Sequence, residues 1–515
     1  MKTNETVTAE EIVDQAGVPK PQSKFGDDSD AGLADRMIAD GIGETLMMVE
    51  GLGWYGYNGK KWKSISITKA IDFVRIAAES ILDAMDADVR KASSADEKID
   101  LRSQVLSMSY KLGSHTKLKG VLGFLAGRLT RQAEELDAHP ELLCCENGVL
   151  NLRTAELGPH DPALLMTKCT GTAYVPGATS PVWDQAREAI SDPETEAYLQ
   201  RRAGHAATGY AASQAAFLIG GGENGKSGCV DALMYALGDY AGTLAATVIG
   251  GKGQGDRHPT EIADLQGLRL ALIEETPDGH HLDVAALKRI VATAKIKARR
   301  MGQDFFEFPA THDLIVCSNF RPAVSETDRG SWRRLEEIGF PFTFVSGKPT
   351  RPNEKKSAGD GMKRALATQR TREAVLAWII EGAKAVLADD GEIGEPSPAV
   401  AESTAAWRAE SDVLGTALTD ITEESEHGFI PTAEIMQEAK RLLRKAGMRA
   451  PRALTIKERL RRIPGWDRLD EDRITVGKGG WEVSTRTPPR TPYSGKIRGL
   501  KGIRFADEEV EDDDF

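Results

Sequence analysis

The first third of the chain has the apolar spacing of amphipathic helices. Between Thr68 and Met85, apolar residues recur at intervals that fit a helix: Ile71, Val74, Ile76, Ile81 and Leu82. Aromatic residues surround Asn58-Gly59, a pair that favours a β-hairpin turn. We therefore predict a mainly helical N-terminal domain over residues 31–180, preceded by a polar, disordered leader over residues 1–30.

The pattern changes near residue 181. From there to residue 345, short apolar runs alternate with helical patterns, which is typical of an α/β layer. Residues 346–425 predict a polar linker followed by a helical lid, and residues 426–505 predict helices followed by short strands, the order of a winged-helix module. Residues 506–515 form an acidic tail. The expected fold class is therefore a multidomain α/β protein.

Composition narrows the class of protein. The chain has 515 residues, of which 40% are hydrophobic and 28% charged, the balance of an ordinary globular protein. No apolar run reaches the length of about 18 residues that a membrane helix needs, so we expect no membrane partner. The five cysteines form no CxxC pair, which argues against a disulfide framework or structural zinc and favours a cytoplasmic location.

The net charge of −12 conceals a strong separation of charge along the chain. The last nine residues, 507–515, carry seven carboxylates, whereas Lys440–Arg462 holds ten basic residues and one acid. A second basic stretch, Lys288–Arg300, holds six basic residues and no acid. The acidic average therefore does not exclude a nucleic-acid partner, although solvated helix faces also explain such stretches.

A glycine-rich segment carries the strongest chemical signal. It reads Gly220-Gly221-Gly222-Glu223-Asn224-Gly225-Lys226-Ser227, a full match to GxxxxGK[ST]. An apolar strand precedes it and a helical pattern follows, so its backbone N–H groups should face phosphate oxygens at a helix N-terminus. We predict that all eight residues bind ATP, with Lys226 at the β/γ-phosphates and Ser227 as a ligand of Mg²⁺.

Three further polar motifs follow this phosphate-binding loop (residues 220–227). Glu274 and Glu275 end an apolar strand, where carboxylates can hold Mg²⁺ or activate water; Glu274 is a candidate metal ligand, and Glu275 is preferred for catalysis without excluding the reverse. Asn319 ends a later strand and can contact the lytic water or γ-phosphate. Either Arg333 or Arg334 can stabilise transition-state charge from a neighbouring subunit.

A basic hairpin is predicted between the acidic motif and Asn319. A strand carrying Lys295, Lys297, Arg299 and Arg300 precedes a glycine turn and the aromatic strand Phe305-Phe306-Glu307-Phe308. In a ring, such a hairpin would direct cations toward a central channel and follow a phosphate backbone. These four basic residues are the predicted DNA-binding residues.

This ordered set of motifs resembles the superfamily 3 helicases of the AAA+ class, and more narrowly the poxvirus and phage/plasmid primase–helicase branch. The segments that carry the resemblance are Glu146–Thr154 with Pro159-His160, the phosphate-binding loop, Glu274-Glu275-Thr276, Thr311–Asn319 and Trp332-Arg333-Arg334. Many relatives have a glycine pair before the hairpin, where this chain has Val291-Ala292-Thr293-Ala294-Lys295. Many also carry an N-terminal primase, for which the predicted leader is too short, so we expect no primase activity.

The resemblance implies an AAA+-type core over residues 181–345 and a homo-hexameric ring that hydrolyses ATP and translocates on single-stranded or forked DNA. It also implies a replicative role in a phage or mobile element, hence in a bacterial host cytoplasm. The acidic tail resembles those that dock on replisome partners such as a polymerase or primase. The alternative is a phosphate-loop nucleotide switch or scaffold that assembles on DNA without unwinding it.

Overall fold

The computed structural model describes residues 28–250, 259–274, 281–302, 304–324, 329–357, 359, 361–445, 471–475, 482–485, 494 and 496–506. The chain divides into two compact units, one formed by residues 1–151 and 156–169, the other by residues 152–155 and 170–515. The predicted leader up to residue 27, Glu275 and the acidic tail from residue 507 lie outside the described residues.

Helices predominate over two small sheets in the first unit. Its helices are α1 (Asp30–Ala39), α2 (Ile67–Lys91), α3 (Ala95–Leu112) and α4 (His115–Arg128). Its strands are β1 (Leu46–Val49), β2 (Gly53–Tyr57), β3 (Trp62–Ser64), β4 (Thr130–Arg131), β5 (Leu142–Cys145), β6 (Gly148–Asn151) and β7 (Leu157–Gly158). The antiparallel pairing of β2 with β3 confirms the hairpin predicted at Asn58-Gly59.

The predicted amphipathic helix is α2, which is longer than its apolar pattern indicated. Ser66 caps its N-terminus by accepting a hydrogen bond from the Lys69 N–H. Residues on one face, including Val74, Ile81 and Met85, are buried in a core shared with α1 and α4. The burial of this apolar face is what holds the helix in place.

The second unit is built around a parallel five-stranded sheet. Its helices up to residue 332 are α5 (Pro181–Arg187), α6 (Pro193–Ala207), α7 (Lys226–Leu237), α8 (Pro259–Ala263), α9 (Val284–Ile290) and α10 (Arg329–Trp332). The strands up to residue 356 are β8 (Ala215–Ile219), β9 (Ala241–Leu244), β10 (Leu270–Ile273), β11 (His281–Leu282), β12 (Lys295–Arg299), β13 (Phe305–Pro309), β14 (Asp313–Ser318), β15 (Ala323–Val324), β16 (Leu335–Gly339), β17 (Thr343–Val345) and β18 (Glu354–Lys356).

The sheet order is β16-β8-β14-β10-β9, and every neighbouring pair in it is parallel. Strands β10 and β14 are fully buried, as expected where helices cover both faces of a parallel sheet. Because the strands run the same way, the segments after β8, β10 and β14 emerge at one carboxyl edge. This edge is where open α/β sheets bind ligands.

Helices surround this sheet and continue into a C-terminal module. They are α11 (Met362–Leu366), α12 (Gln369–Ala388), α13 (Pro398–Ser411), α14 (Val413–Asp420) and α15 (Thr432–Lys445). The C-terminal strands are β19 (Thr422–Pro431), β20 (Glu471–Thr475), β21 (Glu482–Val483) and β22 (Lys496–Phe505), in the order β20-β22-β19-β21. Strand β19 precedes helix α15, a strand that the sequence pattern did not predict.

Small residues allow α6 and α12 to pack closely. A side-chain carbon on Gly204 would lie 2.1 Å from the backbone of Gly382, and one on Gly382 would lie 2.1 Å from the carbonyl oxygen of Gln200. Only glycine fits at such a backbone contact. The close packing fixes α12 against the helix that supports the sheet.

Candidate functional site

The phosphate-binding loop connects the carboxyl end of β8 to the N-terminus of α7. Gly222 and Gly225 have positive φ angles of 87° and 77°, and Gly225 is the residue that caps the helix. A side-chain carbon on Gly225 would lie 2.8 Å from Cβ of Ala189 and 3.0 Å from the Phe344 ring. The local sequence thus folds into a tight turn that presents the first N–H groups of α7, as anion binding requires.

Lys226 lies inside this turn rather than in solvent. Its side chain is buried, and its Nζ donates to the carbonyl oxygen of Gly220 at 3.4 Å, to that of Ser318, and to Oδ1 of Asn319 at 3.3 Å. The structure therefore brings together two residues that are 93 positions apart in the sequence. An amine at this position can neutralise phosphate charge at the strand tips.

The other loop residues complete a polar cradle. Oδ1 of Asn224 accepts from the Lys226 N–H at 3.3 Å, while Nδ2 of Asn224 is buried and has no partner among the described residues. Ser227 is exposed in the first turn of α7, and no side-chain carbon would be obstructed at Gly221. The open backbone and the exposed hydroxyl fit the phosphate oxygens of a nucleoside triphosphate with its Mg²⁺.

Glu274 and Asn319 end neighbouring strands of the sheet. Ile273 on β10 pairs with Val316 on β14, so the residues that follow both strands emerge side by side at the carboxyl edge. Both side chains are exposed there, and no group of three or more potential metal ligands occurs within the described ranges. The position of Glu274 fits a carboxylate that shares a metal with the nucleotide, whereas Glu275 lies outside the described residues.

Two cysteines near the phosphate-binding loop have unreactive thiols. Burial raises the pKa of Cys229 to about 12 and, despite the nearby Lys226 charge, also raises the pKa of Cys317 to about 12. Both thiols stay protonated at neutral pH, and a thiolate is required for nucleophilic attack. Neither residue is therefore a candidate nucleophile.

Arg333 and Arg334 lie away from the loop of their own chain. They precede β16, and Leu335 at the amino end of that strand pairs with Ala215, whereas Gly339 pairs with Ile219 next to the loop. The four residue steps from Leu335 to Gly339 separate the two ends by about 13 Å. Arg333 is exposed, and Arg334 donates to the carbonyl oxygen of Gly330 at 2.5 Å. The structure thus does not bring these arginines to the phosphate-binding loop of the same chain.

A cavity of about 340 Å³ adjoins the phosphate-binding loop. The residues that line it on α5, β17, α11 and the loop include Gln185, Ala186, Phe344, Met362, Leu366 and Gly225. The Phe344 N–H donates to the carbonyl oxygen of Glu223 at 2.7 Å, which ties β17 directly to the loop. This volume lies in the range of small-ligand pockets, and sequence reasoning missed it because its walls come from four separate elements.

The predicted basic hairpin is confirmed. Strands β12 and β13 pair antiparallel, with Lys295 opposite Pro309 and Arg299 opposite Phe305. Lys295, Lys297 and Arg299 alternate with buried residues and all face outward. Arg300 instead donates to Oε1 of Gln266 at 2.8 Å, so only three of the four predicted DNA-binding residues share the outward face of the hairpin.

Arg321 braces the segment after Asn319, a role that the sequence did not reveal. Its guanidinium donates to Glu337 on β16 at 2.8 Å and to Glu410 on α13 at 2.6 Å. Burial raises the pKa of Glu337, and the Arg321 charge opposes that rise. The brace fixes the backbone that presents Asn319 to the loop.

The fold and the site together define a class: a multidomain mixed α/β protein whose parallel sheet carries a GxxxxGKS loop and a cationic hairpin. Within this class, residues 34–191 match the model of a protein family described as D5 N terminal like, and residues 218–334 match that of a family of unknown function. The first match covers less than a third of the chain, so it is a likeness of the N-terminal part.

The curated relatives are proteins of large DNA viruses. The chain is 26% identical over 314 residues to the putative primase C962R of African swine fever virus, covering 58% of this chain and 32% of that protein. It is 21% identical to the putative helicase L207/L206 of Acanthamoeba polyphaga mimivirus, covering 59% and 33% of the two chains. The aligned part thus spans about a third of each relative.

Among solved structures, the apo form of the NrS-1 C-terminal region matches with a TM-score of 0.48 and 12% identity. The match covers 92% of this chain and all of the other. Both the score and the identity are too low to bear on function. In the part of the chain that the structure describes, no helix is long and apolar enough to cross a membrane.

Proposed function

We propose that this protein is an ATP-dependent replicative DNA helicase of superfamily 3 that works as a homo-hexameric ring on single-stranded DNA. One observation carries the proposal: the amine of Lys226 contacts Asn319 at the carboxyl edge of the sheet, where Glu274 also emerges. The cationic hairpin is inserted between the strands that end in Glu274 and Asn319. An AAA+-type core is the proposed architecture of this unit.

The loop residues would bind the nucleotide. Backbone N–H groups of the loop and the amine of Lys226 would hold the phosphates, and the cavity beside the Phe344 ring would receive the nucleoside. Ser227 and Glu274 would hold Mg²⁺, which supplies neutralisation of phosphate charge. Asn319 would orient the lytic water, while Glu275 is the preferred group to activate it.

An arginine from a neighbouring subunit would complete the site. Arg333 and Arg334 are separated from their own loop by the length of β16, which favours action on another copy of the chain. The hydrolysis sites of the ring would then lie between subunits. A homo-hexamer satisfies this requirement because each subunit gives its arginines to the next.

The DNA contacts would come from two places. Lys295, Lys297 and Arg299 would follow the phosphate backbone of a single strand, and the winged-helix-like C-terminal module would bind the duplex part of a fork. The basic segment Lys440–Arg462 lies largely outside the described residues, so its role rests on charge alone. The acidic tail would dock on a replisome partner.

The test is the rate of ATP hydrolysis with Mg²⁺, measured with and without single-stranded DNA. We expect hydrolysis that DNA accelerates and that is lost in Lys226→Ala, since this amine contacts the bound phosphates. Lys384→Ala changes a partly exposed lysine of α12 that pairs with Glu381 and serves as the matched control. A rate of hydrolysis that DNA leaves unchanged would favour the nucleotide switch. Full ATPase activity in Lys226→Ala would contradict both the helicase and the switch.

A further inference from the structure

The hairpin presents an ordered outer face that contains more than cations. Its inner residues Ile296, Ala298 and Phe308 are buried in the core of the sheet unit, which anchors the hairpin. The register therefore places Lys295, Lys297 and Arg299 on the outer face together with Phe305 and Glu307. A surface held by its buried side is preorganised for binding because little freedom is lost when a ligand arrives.

Phe305 is the unusual residue of this face. Its side chain is 53% exposed, whereas Phe308 on the same strand is 3% exposed. The guanidinium of Arg299 lies 5.2 Å from the centre of the Phe305 ring, and Nζ of Lys297 lies 5.4 Å from it. Two cations therefore flank a ring that stays open to solvent, and their attraction to the ring restricts its orientation.

The charge of this face is modest. Glu307 lies directly opposite Lys297, so the three cations and one carboxylate leave a formal charge of +2. Arg300 is not counted in this face, because it donates to Gln266 and its guanidinium lies 5.7 Å from the centre of the Phe306 ring. Attraction for phosphate alone thus gives the face limited affinity, and its exposed ring is the remaining source of binding free energy.

We propose that Phe305 is a base-stacking platform, and that the hairpin selects single strands whose bases are unstacked. In a duplex both faces of each base are already covered by stacking on neighbouring bases, whereas a single strand can offer a base to the ring while its phosphates meet Lys297 and Arg299. The inference deepens the proposed function and rests on it. It adds base contact to a hairpin for which only phosphate contact was predicted.

The experiment measures fluorescence anisotropy of the full-length protein with three labelled probes: an oligothymidine strand, an abasic strand of equal length, and a duplex. We expect the wild type to bind oligothymidine about five- to 150-fold more tightly than the abasic strand, the ratio that one stacked base supplies. Phe305→Ala should remove this ratio and leave abasic binding unchanged. Phe305→Trp should restore it, since indole offers a larger stacking face.

Two controls separate stacking from charge and from folding. Lys295→Ala should weaken binding to both strands by a similar factor, because Lys295 lies opposite Pro309, at the end of the hairpin away from Phe305, and its loss removes only a phosphate contact. Met301→Ala changes a residue that is 90% exposed near the turn and should bind like the wild type. Equal affinity of the wild type for the normal and abasic strands would overturn the stacking role while leaving the proposed function intact. Failure to bind any probe would overturn both, and a change of oligomer mass in Phe305→Ala would reassign the ring to a subunit contact.

Discussion

Gly225 occupies the residue position where the phosphate-binding loop becomes a helix. Its positive φ and its contacts with Ala189 and the Phe344 ring leave no room for a side chain. We predict that Gly225→Ala lowers the free energy of unfolding by about 1–2 kcal/mol and weakens ATP binding. Gly221→Ala is the matched control, because its side-chain carbon would meet nothing within 4 Å. Chemical denaturation and nucleotide titration measure both effects, and equal losses in the two variants would contradict the geometry.

Among individual residues, the sequence predicted those that belong to motifs whose spacing is required by their chemistry. The phosphate-binding loop follows from a motif whose strand and helix context can be recognised locally, whereas the contact of Lys226 with Asn319, 93 positions away, was not predicted. The Phe344 wall and the Arg321 brace could not be predicted, since their partners are distant in sequence and meet only after the sheet forms. The separation of Arg300 from the other hairpin cations likewise depends on a tertiary contact.

At the scale of elements, a buried ionic network holds α6 to the sheet. Arg202 contacts Asp313 on β14 at 2.5 Å and Glu336 on β16 at 2.6 Å, and all three side chains are almost fully buried. We predict that Arg202→Met lowers the free energy of unfolding by about 3–5 kcal/mol, because it leaves two buried carboxylates without their cation. Arg201→Met on the same helix should cost less than about 1 kcal/mol. Urea denaturation measures the difference.

The stability lost in Arg202→Met should depend on pH in a predictable direction. Burial works to raise the pKa of Asp313, but Arg202 and His205 outweigh it and hold this pKa below its usual value. In the wild type, ionised Asp313 thus contributes stability above pH 4 that is lost as the pH falls through its folded pKa. Without Arg202, burial dominates and raises the pKa of Asp313. Protonation of Asp313 at low pH then removes a buried negative charge and reduces the destabilisation of the variant. The deficit of Arg202→Met should narrow as the pH falls from 7 toward 4; a constant deficit would contradict the network.

The turn before the hairpin retains a glycine-like backbone without a glycine. Ala292 has a φ of 60°, in the left-handed region that favours glycine. We predict that Ala292→Gly raises the free energy of unfolding by about 0.5–1 kcal/mol, since relief of strain exceeds the added flexibility of the unfolded chain. Ala294→Gly, where no positive φ occurs, should instead lower it. Thermal denaturation of the two variants measures these changes. A lower stability in both variants would show that Ala292 is unstrained.

Elements with a strong local pattern were predictable, and those that depend on pairing were not. Helix α2, the two hairpins and the strands before Glu274 and Asn319 agree with their patterns. Strand β19 was not predicted, because its polar start Thr422-Glu423-Glu424 has no strand-like alternation and is paired by β22. The polar linker after residue 345 likewise contains β18, which the parallel pairing with β17 stabilises.

At the scale of the whole molecule, the proposed ring makes each hydrolysis site depend on two chains. We predict that Lys226→Ala and the double variant Arg333→Ala/Arg334→Ala are each inactive alone, and that mixing them restores part of the ATPase rate. In mixed rings some sites combine an intact loop from one variant with intact arginines from the other. The rate is measured after mixing at several ratios, with each variant alone as control. Full activity of the arginine variant alone would exclude action between subunits.

The effect of charge on DNA binding depends on where the charged residues lie on the molecule. The net value of −12 coexists with an outward hairpin face that carries three cations, because the carboxylates are concentrated elsewhere, seven of them in the last nine residues. Electrostatic attraction for DNA acts over about a Debye length, roughly 10 Å at moderate salt, so local charge governs the contact. Binding by the hairpin is therefore compatible with an acidic chain.

Strand separation on a forked DNA duplex with one labelled strand tests the proposed helicase activity directly. In the presence of ATP and Mg²⁺ we predict that the wild type releases the labelled strand. Without ATP, or with Lys226→Ala, the duplex should stay intact. A folded wild type that binds the fork and hydrolyses ATP but releases no strand would contradict the helicase account.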